Sequence, residues 1–374
     1  NPILLPNGKH SKTGSMENKV FLSYGTLVTP IGIGIDANFH SLKNGISGIQ
    51  QREHSGFKQE NWFLSTLDDL SENRFDALLE KALSDLKKSY SETVLSAPET
   101  RFILSSTKGN IDNLPGDVFA SARGIIHRQT NNPNDVIVIS NACISGVIAI
   151  NTAADYLRYS DCDNVIVIGI DIVSDFVLFG FQSLFALSDE PARPFDKNRK
   201  GISLGEACGI IVASREKTHT SAVEYLAGAS SNDANHISGP SRTGEGLFRV
   251  VNKTIERAGI HRSDIDFISA HGTGTLYNDE MESIAFTRCE LQNTPVNSLK
   301  GFFGHTLGAA GVIEVIVCML SLEHQLLFES KGFEETGTTQ EMNIIQQTHA
   351  APVHTVLKTA SGFGGGNAAL LIRK

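Results

Sequence analysis

One cysteine in the sequence lies where a side chain could act as a nucleophile. Cys143 falls in the stretch VIVISNACISGVIAIN, residues 136–151, between an apolar run typical of a buried strand and a segment typical of a helix. The thiol would therefore lie beside the free backbone amides and the positive dipole end of that helix. Such a position favours the thiolate, which is the nucleophilic form of cysteine. The alternative is a buried structural cysteine, the more common case for this residue type.

Two histidines add possible acid and base groups to the cysteine. His271 opens the sequence HGTGT directly after an apolar run, and His305 lies in KGFFGHTLGAAG, residues 300–311, which leads into a small-residue helix. Each alone is typical of a loop residue beside glycines. Together with Cys143 they form a set of groups at strand and helix ends, where α/β proteins bind ligands. The three residues lack the local pairing of zinc ligands, so we expect no metal.

The other four cysteines lack a nucleophile's setting and are interpreted as structural: Cys162, Cys208, Cys289 and Cys318. The five cysteines include no CxxC pair, and their odd number leaves no complete set of disulfides. This cysteine usage favours a reducing compartment, and we therefore expect a cytoplasmic protein.

The charge and hydropathy of the chain argue against some classes of partner. Acidic residues outnumber basic ones by 41 to 32, so nucleic acid and anionic membranes are not expected as main partners. The most apolar segment, residues 311–328, contains Glu314, Glu323 and His324 and is predicted to fall short of a membrane span. No membrane anchor is expected from this pattern.

The elements that would position the cysteine and the histidines recur along the chain. Buried strands are predicted at residues 135–140 and 164–171, on either side of a helix over residues 143–159. The pattern returns at residues 264–275 and at the C-terminus, which indicates an α/β fold of two related halves. The predicted divisions are a vector-derived extension at residues 1–15, a first half with the nucleophile at residues 16–215, and a second half with both histidines at residues 216–374.

Five motifs occur in order: NACISG (residues 141–146), RPFDKNRKGISLGEACG (193–209), HGTGT (271–275), GHTLGAAG (304–311) and GFGGGNA (362–368). Together they resemble the motifs of elongating β-ketoacyl-acyl-carrier-protein synthases in the thiolase superfamily. The resemblance implies a thiolase-like αβαβα layered fold of two duplicated halves, usually assembled as a homo- or heterodimer. The implied reaction is a decarboxylative Claisen condensation of an acyl thioester with malonyl-acyl-carrier protein, without a cofactor.

The resemblance also implies roles for individual residues. Cys143 would hold the acyl chain, while His271 and His305 would stabilise the enolate formed from malonyl. The backbone amides of Cys143 and Phe363 would bind the second oxyanion, and the Phe363 ring would gate the acyl pocket. The other implied residues are the charged pair Lys300 and Glu314, the substrate-binding hydroxyls Thr273, Thr275 and Ser238, and the turn glycines Gly364 and Gly365.

Particular positions bear on the subclass. The closing glycine turn has Phe363 where thiolases that condense without decarboxylation have a second cysteine. By the same resemblance, starter-condensing synthases use asparagine where this chain has His305. The Cys-His-His set therefore favours the elongating class. Lys108 and Asn110 replace the small residues usual near the pocket floor, the glycine turn is altered and the chain is short. These departures indicate a specialised polyene or polyketide synthase.

An alternative function remains open from the sequence. The chain could be a non-catalytic chain-length-determining subunit, or a malonyl-decarboxylating partner, within a heterodimeric ketosynthase. Members of the first kind usually lose the nucleophile, whereas Cys143 is present here. An acidic protein that binds an acidic carrier protein needs local basic residues, for which the candidates are Arg123, Arg128, Lys197, Arg199 and Lys200.

Overall fold

The computed structural model of the chain describes residues 19–70, 73–233 and 239–374. The proposed N-terminal extension and Ser238 lie outside the described residues. The strands are β1 (Val20–Thr29), β2 (Gly32–Ile33), β3 (Gln50–Arg52), β4 (Trp62–Leu64), β5 (Thr100–Ser105), β6 (Ile137–Ile139), β7 (Asn164–Asp171), β8 (Ala207–Ser214), β9 (Val223–Asn232), β10 (Phe267–Ser269), β11 (Val296–Asn297), β12 (Leu326–Leu327), β13 (His349–Ala350), β14 (Thr355–Gly362) and β15 (Gly366–Arg373). The helices are α1 (Ile35–Lys43), α2 (Arg74–Leu86), α3 (Glu92–Ser96), α4 (Ala120–Thr130), α5 (Ser145–Tyr159), α6 (Asp175–Ser183), α7 (Glu245–Ala258), α8 (Leu276–Arg288), α9 (Lys300–Phe303) and α10 (Ala310–His324).

The main sheet is built from two halves with the same strand order. The first half runs β1-β8-β7-β5-β6 and the second runs β9-β15-β14-β10-β11, and the two halves are joined where β1 pairs with β9. In each half the last three strands are parallel, and the two strands nearest the join are antiparallel. This repeated topology confirms the predicted layered fold of two related halves. The proposed boundary at residues 215/216 falls between β8 and β9 and stays a prediction.

Helices cover both faces of the sheet and form the layers of the fold. The central layer contains α5 and α10, which pack against each other and share one core with residues of both half-sheets. Helices α2 and α4 pack on the outer face of the first half, and α7 and α8 on the outer face of the second. The order of layers is therefore α, β, α, β, α, with α5 and α10 as equivalent helices of the two halves.

The apolar segment around α10 is predicted from the sequence to be too short to span a membrane, and this prediction is wrong. Within the described residues, Leu307–His324 is long and apolar enough to cross a bilayer by length and composition alone. However, 89% of this segment is buried inside the protein. The central layer explains its composition, because a helix that packs against neighbours on all sides is apolar all round.

The first turns of α5 and α10 touch backbone to backbone. A Cβ atom built on Gly311 would lie 2.5 Å from the backbone nitrogen of Val147, and one on Gly146 would lie 2.8 Å from that of Val312. Only glycine fits at both positions without moving one helix. The contact therefore brings together the two chain segments that lead into these helices.

Two predicted elements differ in detail from the structure. Helix α5 begins at Ser145, so Cys143 precedes the helix instead of opening it. Strand β6 is an edge strand, paired only with β5 among the described strands, and its three residues are partly exposed, so the expectation of burial on both faces is wrong. Strand β7 lies inside the sheet, and its residues after Asn164 are buried as predicted.

Replacement of Gly311 by alanine is expected to lower the free energy of unfolding by about 1–3 kcal/mol, because the added methyl group would force the two helices apart. Urea unfolding followed by circular dichroism measures this change. Gly180→Ala is the matched control, since a Cβ at this position of α6 meets no atom within 4 Å and alanine favours the helix. Unchanged stability of Gly311→Ala would contradict a tight backbone contact at this position.

Candidate active site

The predicted residues converge at one edge of the sheet. Cys143 follows β6, His271 follows β10, His305 follows β11, and Phe363 follows β14. Each of these strands belongs to a parallel group, and the carboxyl ends of parallel strands share one edge. Since α5 and α10 meet at their first turns, the edges of the two halves face each other there. The site therefore takes residues from both halves.

Cys143 lies on a tight turn between β6 and α5. Ala142 has a φ of 43°, a left-handed conformation that is unfavourable for a residue with a Cβ. The Ser145 hydroxyl secures the turn by accepting a hydrogen bond from the Asn141 amide (2.7 Å) and donating one to the Ala142 carbonyl (2.6 Å). Gly362 packs against this turn, because a Cβ there would lie 3.2 Å from the Cys143 nitrogen. The turn thus presents the thiol and its own amide close to the β14–β15 connection.

The structure brings Cys143, His271 and His305 together. His305 Nε2 lies 2.9 Å from Cys143 Sγ, and the two imidazole rings are 5.2 Å apart, centroid to centroid, at 84°. All three side chains are buried, and one ligand atom from each lies within 4.8 Å of the others. A metal ion would fit this spacing by geometry alone, so the expectation of no metal stays a prediction. The direct sulfur–nitrogen contact also allows proton transfer between the thiol and the imidazole.

Burial determines the protonation of these three groups. Burial raises the pKa of Cys143 to about 12, although the nearby Lys300 ammonium lowers it. Burial also lowers the pKa of both imidazoles well below the ordinary histidine value, and the charges of Lys300 and Lys358 lower it further. The resting pair is therefore a neutral thiol beside a neutral imidazole. This corrects the expectation that the position before the helix favours a thiolate, because desolvation outweighs the helix end.

A buried cluster of three charges lies beneath the histidines. Glu314 Oε1 accepts a hydrogen bond from Lys300 Nζ at 2.8 Å, and Glu314 Oε2 lies 2.6 Å from Lys358 Nζ. Burial raises the pKa of Glu314, but the two ammonium groups outweigh burial and leave its pKa below the ordinary value. Lys300 Nζ also donates to the His271 carbonyl at 2.5 Å. The predicted pair Lys300–Glu314 is thus present, together with a second lysine.

The HGTGT segment is held by two carboxylates of α8. Glu282 accepts hydrogen bonds from the backbone amides of His271 (2.8 Å) and Gly272 (2.6 Å), and Asp279 accepts one from Thr273 (3.0 Å). Burial raises the pKa of Glu282 to about 7, and the charge of Asp279 contributes. The hydroxyls of Thr273 and Thr275 lie 2.9 Å apart on the same segment as His271. Both threonines therefore lie beside the site, where the sequence predicts contact with substrate.

The closing glycine turn packs on the cysteine turn through Gly362 and reaches the surface at Phe363. Gly364 and Gly365 have φ angles of 85° and 78°, which the left-handed region allows for glycine. The Gly365 carbonyl accepts a hydrogen bond from the Asp233 amide at 2.7 Å. The Phe363 side chain is 37% exposed and stacks on Phe181 of α6 at 5.4 Å. An exposed aromatic ring that stacks on another ring suits the predicted gate.

Lys108 and Asn110 have partners that explain their polarity. Lys108 Nζ lies 3.2 Å from a carboxylate oxygen of the buried Asp171, at the end of β7. Asp171 also accepts a hydrogen bond from the Gly308 amide at 2.7 Å, and so fixes the turn that follows His305. Asn110 is buried and donates to Asn73 at 3.1 Å, at the start of α2.

Sequence reasoning missed four charged residues around this site: Asp171, Asp279, Glu282 and Lys358. A signal was present for two of them. Asp171 ends the apolar run NVIVIGID, and Lys358 interrupts the apolar strand TVLKTA. A charge within or at the end of a buried strand requires a partner, and that requirement marks such a residue as part of a network. The two acids of α8 follow HGTGT closely but lie on an otherwise ordinary polar helix.

The predicted carrier-binding residues are not all on the surface. Arg199 is buried, where it donates to the carbonyls of Asp196 (2.9 Å) and Gly337 (2.7 Å), so its assignment to a docking patch is wrong. The other four form ion pairs at the surface: Arg123 with Asp117, Arg128 with Glu80, Lys197 with Glu335, and Lys200 with Glu190. These four remain candidates for contacts with an acidic partner.

The fold and the site together define a thiolase-like α/β protein with a Cys-His-His centre. Residues 118–219 match the family described as Beta-ketoacyl synthase, N-terminal domain, and residues 222–334 match Beta-ketoacyl synthase, C-terminal domain. The chain belongs to the beta-ketoacyl synthase family. This finding confirms the resemblance inferred from the five motifs.

Named relatives support the same assignment. A 3-oxoacyl-[acyl-carrier-protein] synthase 2 of Rhizobium meliloti is 31% identical over 70% of this chain and 66% of the relative. The tetracenomycin polyketide synthase ketoacyl synthase alpha subunit of Streptomyces glaucescens is 31% identical over 64% of this chain and 60% of the relative. The structure of the ishigamide ketosynthase/chain length factor superposes with a TM-score of 0.87 at 25% identity, covering 95% of this chain and 99% of that one. The chain thus spans 60–66% of the length of these two curated relatives.

Alkylation of Cys143 by iodoacetamide is expected to be slow at pH 7 and to accelerate about tenfold per pH unit up to pH 10, because only the thiolate reacts and burial raises the thiol pKa. Peptide mass spectrometry with time measures the rate. Cys143→Ser controls for modification of the other four cysteines, which are buried. A rate that is already constant above pH 7 would show a preformed thiolate and contradict the neutral pair.

Proposed function

We propose that this protein is an acyltransferase that catalyses decarboxylative Claisen condensation. A Cys143-bound acyl chain would react with malonyl-acyl-carrier protein to give β-ketoacyl-acyl-carrier protein. The observation that supports this proposal most strongly is the 2.9 Å contact between Cys143 Sγ and His305 Nε2, with His271 beside it. A nucleophile in contact with a base, next to a second imidazole, can hold one thioester and polarise another.

In the first half-reaction the Cys143 thiol of the protein becomes acylated. His305 Nε2 accepts the thiol proton as Cys143 Sγ attacks the acyl thioester. The imidazolium then loses its Nδ1 proton to solvent, which supplies one to the departing pantetheine thiolate, so the ring is left neutral with its proton on Nε2. A new carbon–sulfur bond forms at Cys143 as the bond to pantetheine breaks. The neutral resting state of the imidazole suits this step, because a protonated ring could not accept the proton.

In the second half-reaction malonyl loses carbon dioxide. The electron pair of the broken carbon–carbon bond enters the thioester enolate, whose oxygen accepts hydrogen bonds from neutral His271 and His305. The enolate carbon attacks the carbonyl of the acyl-Cys143 thioester, and the carbon–sulfur bond breaks to release the Cys143 thiolate. That thiolate takes the proton of His305 Nε2, and Nδ1 regains one from solvent, which restores the resting pair. The backbone amides of Cys143 and Phe363 stabilise the oxyanion of this attack, in a region where Gly362 already packs on the cysteine turn.

The proposal extends to substrates, partners and location. The partner is an acyl-carrier protein, and Thr273, Thr275, Gly364 and Gly365 lie where its pantetheine arm would approach the centre. The protein acts in the cytoplasm as a dimer, homo or hetero, which accords with the ketosynthase/chain length factor named among similar structures. We extend the proposal to a specialised polyene or polyketide synthase, because Lys108 and Asn110 stand where elongating synthases usually have small residues.

Incubation with an acyl-carrier-protein thioester is expected to leave one acyl group on Cys143, because that thiol contacts a base. Intact-protein mass spectrometry detects the adduct, and Cys143→Ala should abolish it. A panel of saturated and polyunsaturated acyl groups tests the specialised pathway, which predicts faster acylation by the polyunsaturated members. Decarboxylation of malonyl-acyl-carrier protein without any acyl adduct would support the alternative of a decarboxylating partner subunit and overturn the synthase proposal.

Condensation is expected to continue at an unchanged rate after treatment with EDTA and gel filtration, because Cys143 and His305 already satisfy each other without an ion. Added Zn²⁺ should inhibit, since an ion bound by the thiolate and both imidazoles would block the nucleophile. Loss of activity with EDTA that zinc restores would contradict this mechanism. Atomic absorption on the untreated protein provides the control for bound metal.

A further inference from the structure

The charge cluster beneath the histidines contains more positive than negative charge. Glu314 is one carboxylate, yet it contacts the ammonium groups of both Lys300 and Lys358. All three side chains are buried, with exposed fractions of 5% or less. A paired carboxylate and ammonium would be neutral, so the second lysine leaves one positive charge in excess in this cluster. An excess charge away from water is unfavourable, and a fold that retains one suggests a role for it.

The geometry around Lys358 fits the charged form of its side chain. Its Nζ has three oxygen atoms within 3.2 Å: Glu314 Oε2 at 2.6 Å, the Ala270 carbonyl at 3.1 Å and the Ser269 carbonyl at 3.2 Å. The two carbonyls accept hydrogen bonds from Nζ, and Glu314 Oε2 forms an ion-pair contact with it, as suits an ammonium group, which has only donors. Burial lowers the pKa of Lys358, the Glu314 carboxylate opposes that change, and the Lys300 ammonium adds to it, so the pKa lies below the ordinary lysine value.

The two lysines also bind consecutive backbone carbonyls. Lys358 contacts the carbonyls of Ser269 and Ala270, and Lys300 contacts the carbonyl of His271. These residues run from the end of β10 into the HGTGT segment. Through Glu314, one buried cluster therefore fixes the backbone that presents the His271 ring to Cys143.

We propose that Lys358 is a positioning residue of the active site, which anchors the backbone before His271 and supplies one excess positive charge that faces the two imidazoles. The catalytic consequence of this inference rests on the proposed function: the positive charge would stabilise the anionic malonyl group and its enolate. It would also oppose protonation of both rings, so that they remain neutral hydrogen-bond donors as the pH falls.

Other charged groups also face the two imidazoles, and each has its own partner. Glu282 and Asp279 bind backbone amides of the HGTGT segment, and Asp171 pairs with Lys108. The titratable groups of this centre are Cys143, Asp171, Asp279, Glu282, Lys300, Glu314 and Lys358, of which Lys300 and Lys358 lower the pKa of both rings. Lys300 and Lys358 share the one carboxylate of Glu314, and Lys300 also interacts with the charge of Glu282, so Lys358 is the ammonium group to test.

The test is Lys358→Met, which keeps the length of the side chain and removes its charge. NMR of the protein labelled with ¹⁵N-histidine follows the two rings directly, so the titration of Glu282 is not mistaken for theirs. Both rings are expected to become protonated at a pH about one unit higher than in the unchanged protein, because a neighbouring positive charge has been removed. Decarboxylation of malonyl-acyl-carrier protein should fall about tenfold in kcat/KM, with the acid limb of its pH profile moved upward in the same way.

Lys88→Met is the matched control, because Lys88 is an exposed lysine that also pairs with a carboxylate, that of Asp85. It should change neither the histidine titration nor decarboxylation. Unchanged titration of His271 and His305 in folded Lys358→Met would overturn the inference, even if the variant were less stable. Because the titration needs no substrate, that result is distinguishable from failure of the proposed function, in which the unchanged protein would neither acylate nor decarboxylate.

A second measurement keeps the inference testable if Lys358→Met does not fold. ¹⁵N NMR of the lysine side chains in the unchanged protein should show Lys358 charged at pH 7, because the buried Glu314 carboxylate lies 2.6 Å from its Nζ. Assignment can use selective loss of the signal in Lys358→Arg. A neutral Lys358 amine at pH 7 would overturn the proposal, since the excess charge would then be absent.

Discussion

The active centre depends on how closely α5 and α10 approach each other. Gly146 and Gly311 let the two backbones touch, and the segments before these helices then meet at a shared edge. Cys143 belongs to one half of the fold and His305 to the other, so their 2.9 Å contact exists only because the two halves pack at this distance. The repeated topology of the sheet therefore has a chemical consequence. It places a nucleophile and a base, which come from equivalent positions in the two halves, side by side.

Exclusion of water determines the electrostatics of the same place. Burial favours the neutral forms of Cys143 and of both imidazoles, and it makes the charges of Lys300, Glu314 and Lys358 act strongly over short distances. A neutral thiol can be deprotonated by the adjacent ring when a thioester arrives, and neutral rings can donate hydrogen bonds to an enolate. Of the three buried charged residues, Lys300 and Lys358 hold the backbone at His271 through its carbonyl and those of the two preceding residues. The chemistry proposed for this protein thus depends on the burial of the thiol and imidazoles and on the buried charge cluster beside them.

Much of this arrangement could be predicted from the sequence, because each central residue follows an apolar run or opens a glycine-rich segment. Cys143, His271 and His305 have this local signature, and Glu314 within an apolar helix requires a cation. Other features depend on contacts between distant segments, which local patterns do not contain. Strand β6 is partly exposed because the strand order places it at the edge of the sheet. Arg199 is buried where its guanidinium binds a carbonyl of a loop that is remote in sequence. The protonation state of the thiol likewise depends on its burial in the folded chain and differs from the state that its place before a helix predicts.

The central claim is that one thiol and two imidazoles from separate segments share a single buried centre. The most direct measurement is cross-linking with 1,3-dibromoacetone, in which the Cys143 sulfur displaces one bromide and a histidine nitrogen within reach displaces the other. Peptide mapping by mass spectrometry should identify one intramolecular bridge between Cys143 and His305 or His271, lost in Cys143→Ser. Adducts attached to Cys143 at one end only, with both histidines unmodified, would contradict the arrangement described for this site.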